Sequence, residues 1–529
     1  MSASATAFRM NSRDEWETLA ADAEAKVLAL ASQVRAPGAA LRAEFAQWQA
    51  AVRALIDAGA YDSQQVKSFA AKIAQAALVQ ENMGKAATFT GAAYRAAARA
   101  TMHRVCYVED PVAFERLVDD NPLVLVPPLV LLGQAAPNVV VVFCPGVART
   151  GTEFGEQFTA LRELGVHAKR AETGSFVDPD KNAEAIAEAI REVRRTVSAD
   201  ARILLTGYSQ GITNILAFIR DRHGRFADDR RGVAGIHVLH GAAGGSQIGD
   251  LVFALGNFLT SDEPISAEAH VLLDAFHRAQ AEVMGLPASA ARGFALSLSS
   301  LRILIREIVR AVRALEGMAA PALRRIGLAE LSDLEMSRRV LGLMIKGASW
   351  TQTLSQSGGK VAQSVGRTLD PLWRRAVSPE TRDVLSEGML SWMFEAYING
   401  GLRSLTTSYA SELLGDARLR ENLARIPILN SIGAIPPARE KSLVPRSQRV
   451  GYAFFRQLGL ASDYQVAVQN QSLERVLPTA IDLPTEAIGH WGVAGIVVPV
   501  DHPTSYFCDF SPSHLTRAAL TAWTALGVV

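Results

Sequence analysis

Apolar and polar positions follow three successive patterns along the chain, and the first pattern is helical. From about residue 12 to residue 104, alanine-rich sequence keeps a helical period, with breaks at Ala36–Gly38, Gly59–Tyr61 and Met83–Gly84. The pattern predicts three or four antiparallel helices. No cluster of titratable residues in them suggests chemistry, so we interpret them as scaffolding or as a partner surface.

Short apolar runs alternate with helical stretches in the next part of the chain. Asn138–Gly146 is a β-branched run that ends in Pro-Gly, which is typical of a buried parallel strand. Further strands are predicted at 166–172, 201–207 and 233–241, and helices at 153–164, 181–197 and 210–222. Strands that alternate with helices of this length indicate βαβ units and a parallel sheet.

A long helical stretch then interrupts the strands. Strand patterns are missing from about residue 249 to residue 424 and return at Ile426–Pro436 and Gly492–Val500, before a terminal helix at 513–526. We therefore predict an α/β fold in which helices flank a mostly parallel sheet. The expected parts are an N-terminal helical region (1–112), a first part of the core (113–250), a helical cap (251–424) and a second part of the core (425–529).

The most specific motif lies between a predicted strand and a predicted helix. Gly207-Tyr208-Ser209-Gln210-Gly211 has the form G-x-S-x-G, and it follows an apolar strand directly. Such a serine lies on a tight strand-to-helix turn where neighbouring side chains would collide, which explains both glycines. The motif in this context predicts a nucleophilic Ser209, with a tight structural turn as the alternative. The amide of Gln210 is then placed to bind an oxyanion.

A second oxyanion donor is expected in the loop after the first strand. That loop begins Cys144-Pro145-Gly146-Val147, and Gly146 would let the backbone approach the nucleophile closely. The amide of Val147 is the predicted donor. An ordinary glycine-containing loop is the alternative.

These features resemble the α/β-hydrolase superfamily, and within it the bacterial lipases and esterases. Three stretches carry the resemblance: the strand, turn and helix around Ser209, the loop from Pro145 to Gly151, and His240–Asp250, which looks like the Gly-Ser-rich turn after the sixth strand of lipase-like members. With the C-terminal part, the resemblance covers about 117–250 and 426–529. It implies an α/β-hydrolase sheet and a triad in the order serine, acid, histidine.

The base must then be a histidine late in the chain. His490 lies in a Gly-His-Trp-Gly turn similar to that of some bacterial esterases, and we favour it. His502 follows an apolar stretch and stays as an alternative. His514, in the first turn of the last helix, is less favoured.

The acid has two candidates. Asp463 lies in Ser462-Asp463-Tyr464-Gln465-Val466, which resembles the Asn-Asp-Gly-x-Val turn of many lipases, although Tyr464 stands where glycine is usual. We favour Asp463, and Glu440 is the alternative because Leu-Val-Pro follows it in a similar register. A solvated turn aspartate is the non-catalytic interpretation.

Composition, charge and cysteine spacing limit the partners, metals and cellular location that we expect. Hydrophobic residues make up 49% and charged residues 20%, as in globular proteins, and a net charge of +1 gives no field that would attract nucleic acid. Cys106, Cys144 and Cys508 lie far apart without metal-ligand spacing, so we expect neither disulfides nor a metal. The first residues lack a secretory pattern, and no apolar run is long enough to span a bilayer. A cytoplasmic protein is expected; a bacterial effector exported without a signal would have the same features.

A basic amphipathic helix is expected at Leu296–Leu315. Apolar side chains fall on one face, and Arg302, Arg306, Arg310 and Arg313 fall on the other. We favour a cap helix that packs its apolar face on the core and solvates its arginines. Peripheral contact with an anionic membrane is the alternative.

Together these features predict a serine hydrolase that cleaves a lipid-like or other apolar carboxylic ester through an acyl-enzyme on Ser209. His490 is the expected base and Asp463 the residue that orients it, without a metal or an organic cofactor. The alternatives are a thioesterase, amidase or acyltransferase on the same fold, and a non-catalytic binding scaffold. The oligomeric state stays open.

Overall fold

A computed structural model describes most of the 529 residues. The described ranges are 12–33, 38–126, 138–147, 153–175, 177–261, 264–285, 299–310, 312–314, 324, 330–345, 396–398, 400–494 and 510–529.

A parallel sheet forms the centre of the described part of the chain. Its six strands are β1 (Val139–Cys144), β2 (His167–Arg170), β3 (Arg202–Tyr208), β4 (Val233–Leu239), β5 (Ile428–Ser431) and β6 (Ala480–Asp482). They pair in the order β2-β1-β3-β4-β5-β6, and every pairing is parallel. The predicted α/β fold with a mostly parallel sheet is therefore confirmed.

Helices cover both faces and the carboxyl edge of this sheet. The N-terminal helices are α1 (Arg13–Gln33), α2 (Ala39–Asp57), α3 (Gln64–Met83), α4 (Gly91–Val105) and α5 (Pro111–Asp120). Between the strands lie α6 (Gly155–Glu163), α7 (Pro179–Thr196), α8 (Gln210–Arg220) and α9 (Ala227–Arg230). The following helices are α10 (Gln247–Thr260), α11 (Ala267–Met284), α12 (Asp333–Ile345), α13 (Thr407–Gly415) and α14 (Ala417–Leu423). The last are α15 (Glu440–Leu443), α16 (Arg449–Gln457), α17 (Val468–Gln471), α18 (His490–Val493) and α19 (Pro512–Ala525).

Alternate residues of the buried strands pack on opposite faces of the sheet. In β1, Val139, Val141 and Phe143 join the hydrophobic cluster that contains the N-terminal helices and α19. Val140, Val142 and Cys144 join the cluster that contains α7 and α8. The N-terminal helices thus share a continuous core with one face of the sheet, and strands buried on both faces are expected to be continuously apolar.

Local sequence sets where several helices begin. Asp178 accepts a hydrogen bond from the amide of Asp180 before α7, and Ser511 does the same for Ser513 before α19. Proline is the first residue of both helices, a position where its missing N–H costs nothing. The breaks predicted at Gly59–Tyr61 and Met83–Gly84 coincide with the ends of α2 and α3. Of the break predicted at Ala36–Gly38, the structure describes only Gly38, which directly precedes α2.

A third hydrophobic cluster lies above the carboxyl edge of the sheet. It joins Val147 and Ala242 to α10, α11, α12, α16 and the helical residues 299–310. Ile305 in the last segment is fully buried, whereas Ile303 is 62% exposed. The apolar face predicted for this helix is therefore buried in the described residues.

The arginines of this helix are only partly solvated as expected: the Arg310 side chain is 73% exposed, whereas the other three contact the protein. Arg302 and Arg306 both donate hydrogen bonds to the carbonyl oxygen of Ser261, at 2.9 and 3.3 Å, and Arg302 lies over the ring of Phe258. Arg313 pairs with Asp333 at 2.8 Å. Helix-end carbonyls are hydrogen-bond acceptors without partners inside the helix, which is why these guanidinium groups turn back toward the protein.

One predicted strand is wrong in its described part. Gly492 and Val493, the first residues of the strand expected at Gly492–Val500, belong to the short helix α18, and residues 495–500 lie outside the described residues. The strand that precedes His490 is β6, only three residues long. In the part of the chain that the structure describes, no helix is both long enough and apolar enough to cross a bilayer.

Candidate active site

Ser209 lies on a strained turn between β3 and α8. Its φ and ψ are 52° and −124°, a conformation that non-glycine residues rarely adopt, and it is 8% exposed. A Cβ atom at Gly207 would lie 2.7 Å from the Cα of Ile212, and one at Gly211 would lie 1.9 Å from the carbonyl oxygen of Cys144. Glycines are therefore required on both sides of Ser209, as the motif predicted.

The loop after β1 packs directly against Ser209. A Cβ atom at Gly146 would lie 2.7 Å from the Cβ and 3.2 Å from the Oγ of Ser209. Only glycine allows this approach, which brings the backbone at Gly146 and Val147 to the serine. Gln210 is the first residue of α8, where an amide has no acceptor within its own helix. Gln210 thus follows Ser209 in the chain, and Val147 follows the glycine that packs on it.

Asp463 is fully buried in the loop between β5 and β6. Its Oδ1 accepts hydrogen bonds from the amides of Gln465 and Val466, at 3.1 and 2.8 Å. Its Oδ2 accepts from the Nδ1 of His490 at 2.7 Å and from the Nδ1 of His240 at 3.2 Å. The carboxylate is therefore held by two backbone amides on one oxygen and by two imidazoles on the other.

His490 begins α18, beside the residue that precedes the serine. Its ring lies 4.9 Å from that of Tyr208, centroid to centroid, and its carbonyl oxygen accepts a hydrogen bond from the Tyr208 hydroxyl at 2.8 Å. Because a carboxylate only accepts hydrogen bonds, the Nδ1 of His490 carries a proton, and in the neutral imidazole Nε2 is then the nitrogen with the lone pair. This Nε2 is buried and forms no hydrogen bond to any described residue.

Tyr464 explains how the acid turn forms without its usual glycine. The backbone of Tyr464 has a φ of 71°, so the turn does need the left-handed conformation that glycine adopts easily. The tyrosine hydroxyl accepts a hydrogen bond from the amide of Trp491 at 2.8 Å. The ring also packs so closely on Gly489 that a Cβ there would lie 2.2 Å from it. These contacts tie the acid turn to the His490 turn.

Two buried titratable residues beside Asp463 escape prediction from the sequence. His240 follows β4 directly, and Glu486 lies in the segment after β6, with its Oε2 3.8 Å from the Nε2 of His240. His240 begins the Gly-Ser-rich stretch and Glu486 lies four residues before His490, but neither residue has a local motif of its own. The sequence signal that could identify them is their position after strands of a parallel sheet, because the carboxyl ends of such strands meet at one edge.

Burial and charge set the protonation of this group. Burial alone would raise the pKa of Asp463, but the imidazoles of His490 and His240 outweigh it and hold that pKa well below its usual range. Burial lowers the pKa of His240, although Asp463 opposes the shift. Burial raises the pKa of Glu486 well above its ordinary value. These shifts favour the charged form of Asp463 and the neutral forms of His240 and Glu486.

The other predicted residues lie apart from Asp463. Glu440, the alternative acid, is half-buried at the start of α15, and its carboxylate pairs with Arg456 at 3.1 Å. The Nδ1 of His514 in α19 hydrogen bonds with the side chain of Asn82 at 2.9 Å. His502, the alternative base, lies outside the described residues. The structure brings together Asp463 with His490, and it brings neither Glu440 nor His514 to them.

A metal would compete with hydrogen bonds for the same atoms. Within the described ranges, His240, Asp463 and His490 form the group whose ligand atoms lie within 4.8 Å of one another. Their Nδ1 and Oδ2 atoms already hydrogen bond to each other at 2.7 and 3.2 Å. These residues therefore fit a hydrogen-bonded network.

Comparisons with known proteins add little to this geometry. No protein-family model matches the sequence, and no curated protein matches it. Among solved structures, the chain is similar to a metagenomic carboxyl esterase at 14% sequence identity and a TM-score of 0.34; the match covers 74% of this chain and 76% of that chain. A likeness at this TM-score assigns neither an activity nor a residue role to this chain. The class that the coordinates define is an α/β protein with a strained serine and a buried His–Asp pair at one sheet edge.

Proposed function

We propose that this protein is a serine hydrolase that cleaves carboxylic ester bonds. The observation that carries the proposal is the left-handed Ser209 between β3 and α8, whose neighbour Tyr208 packs on a buried histidine that a carboxylate holds at its Nδ1. A serine is a weak nucleophile unless a neighbouring base takes its proton, and that base needs an orienting partner.

In the proposed reaction Ser209 Oγ attacks the ester carbonyl while the Nε2 of His490 accepts the hydroxyl proton. The amides of Val147 and Gln210 bind the resulting oxyanion, and Asp463 stabilises the imidazolium. His490 then returns the proton to the departing alcohol, which leaves an acyl group on Ser209. Water, deprotonated by the same histidine, releases the acid and restores the serine. Hydrogen bonds between such residues are often long without substrate, consistent with the unbonded Nε2.

An apolar acyl group is the proposed substrate part. Ser209 is nearly buried, and Val147 beside it belongs to the hydrophobic cluster of α10, α11 and residues 299–310. A site beneath an apolar helical layer binds apolar groups and excludes water. We propose that this layer acts as the cap of the site.

Labelling with a fluorophosphonate tests the proposal, because only an activated serine reacts with it. We expect wild-type protein to be labelled at Ser209 and to hydrolyse short-chain p-nitrophenyl esters. Ser209→Ala should lose the labelling and about 10⁴-fold or more in kcat while keeping its unfolding midpoint. Ser246→Ala is the matched control: Ser246 is also buried, in the loop after β4, where its hydroxyl donates to the carbonyl oxygen of Gln465 at 2.6 Å.

The control must keep its label. If wild-type protein is not labelled, or if Ser209→Ala hydrolyses esters at the wild-type rate, the chain is a binding scaffold or uses another nucleophile. Parallel assays with thioester and anilide substrates of the same acyl group distinguish esterase from thioesterase and amidase activity.

A further inference from the structure

His240, the residue directly after β4, is held in one conformation by contacts with the end of β5 and the segment after it. His240 has a φ of 46°, its side chain is fully buried, and its amide donates to the carbonyl oxygen of Ser431 at 3.1 Å. Its ring fills the space next to Gly433, where a Cβ atom would lie 1.7 Å from the ring. Such strain in a non-glycine residue persists only where surrounding contacts compensate for it. Glycine at position 240 would avoid the backbone strain that His240 adopts.

The ring of His240 faces the carboxylate of Asp463. Its Nδ1 lies 3.2 Å from the same Oδ2 of Asp463 that binds His490 at 2.7 Å. The second oxygen of Asp463 is already fixed by two backbone amides. The carboxylate accepts from four donors, so its plane and position are defined on both sides of the His490 contact.

The surroundings of His240 set its tautomer. The charged or titratable groups that face it are Asp463 from the β5–β6 loop, Glu486 after β6, His490 in α18 and His237 in β4. Burial raises the pKa of Glu486 well above its ordinary value and lowers the pKa of His237 to about 4. Asp463 is therefore the anion that the neutral imidazole of His240 faces, and its proton lies on Nδ1.

We propose that His240 is a positioning residue of the active site: its Nδ1–H donates to Oδ2 of Asp463 and holds that carboxylate in line with His490. The proposal rests on the proposed hydrolase function and extends the triad by one histidine. His240 therefore acts through Asp463, by fixing the direction of the base without contacting the substrate.

Two substitutions separate the hydrogen bond from the backbone conformation. Glycine adopts a φ of 46° without strain and removes the donor, and asparagine tolerates the same φ while placing an amide N–H near the position of Nδ1. His237→Ala is the matched control, because His237 is a buried histidine of the same strand whose ring bonds Ser431, at 2.9 Å, and not Asp463.

We expect His240→Gly to lower kcat by about 10- to 100-fold, as for loss of a hydrogen bond to a charged group, with little change in KM. His240→Asn should recover most of kcat, because its amide N–H replaces the lost donor. His237→Ala should keep the wild-type kcat.

Three results would overturn the proposal: wild-type kcat in His240→Gly, a loss that His240→Asn does not recover, or an equal loss in His237→Ala. Fluorophosphonate labelling of Ser209 in wild-type protein is measured in the same series. Absence of that labelling rejects the hydrolase itself, whereas labelled wild type with an active His240→Gly rejects only the role of His240.

Discussion

Replacing Gly211 by alanine tests whether the close packing at the serine turn is necessary. A Cβ atom there would lie 1.9 Å from the carbonyl oxygen of Cys144, 2.8 Å from its carbonyl carbon and 2.9 Å from the carbonyl oxygen of Pro145. All three atoms are backbone, so no side chain can rotate away. Because an ordinary contact begins near 3.4 Å, α8 and the end of β1 would have to separate by about 1.5 Å.

The separation of α8 from β1 should lower both the stability and the activity of the protein, by different amounts. Overpacking of a well-packed interior costs about 1–3 kcal/mol, and we expect Gly211→Ala near the upper end because the strand end itself must move. The same movement displaces the serine turn from the loop that contains Val147. A misplacement of about 1 Å in a catalytic constellation costs about 100-fold in rate, so we expect a loss of this size or larger in ester hydrolysis.

Urea unfolding and initial rates on a short-chain p-nitrophenyl ester measure the two effects separately. Gly155→Ala is the matched control: it also places alanine at the start of a helix, α6, where no atom lies within 4 Å of the added Cβ. That change should leave the rate unaltered and stability unchanged or slightly higher. Wild-type stability and rate in Gly211→Ala would refute the close approach of α8 to β1, and with it the preorganised oxyanion site.

Two further changes test the core and the buried acid. Ile305→Ala should lower the free energy of unfolding by about 2–5 kcal/mol, since Ile305 is fully buried. Ile303 in the same helix is 62% exposed, so Ile303→Ala should change that free energy by less than about 0.5 kcal/mol. Equal effects would show that residues 299–310 do not pack on the core. Glu486→Gln should stabilise the protein relative to wild type, increasingly as pH rises above about 4.5. The pKa of Glu486 is higher in the folded than in the unfolded protein, so wild-type stability is fully present below the unfolded-state pKa and is lost as pH rises above it. Urea unfolding at pH 5 to 8 should show the difference between variant and wild type growing by up to about 1.4 kcal/mol per pH unit, and a constant difference would contradict the assignment of a neutral Glu486.

The strands that the sequence predicted well are buried along nearly their whole length. β1, β3 and β4 are mostly apolar runs because both of their faces are covered, and such runs are visible without any partner. β6 has three residues, Ala480–Asp482, too few to show a strand pattern, and its pairing with β5 is what makes it a strand. The error at Gly492 has the same origin, since an apolar run alone does not distinguish a strand from a short buried helix.

Among the site residues, the serine turn could be predicted because its requirements are local. Two glycines, a strand and a helix within a dozen residues specify it. The choice between Asp463 and Glu440 depended on weak turn similarities, and in the structure it depends on contacts with residues 27 and 223 positions away along the chain. Contacts of that sequence separation have no counterpart in a local pattern, which is why His240 and Glu486 were missed altogether.

Backbone strain in the described residues concentrates around the same place. Six non-glycine residues have positive φ angles: Phe154, Ser209, Asp221, His240, Glu330 and Tyr464. Ser209, His240 and Tyr464 end or follow the segments that meet at Asp463, and Phe154 packs on Tyr208 with ring centroids 5.9 Å apart. Each such conformation costs about 1–3 kcal/mol, and helices and strands elsewhere in the described chain avoid the cost. His240 contacts the buried Asp463 carboxylate, Tyr464 follows Asp463 in the chain, and Ser209 follows the tyrosine on which His490 packs. A fixed arrangement of side chains at this place is what the proposed preorganised site requires.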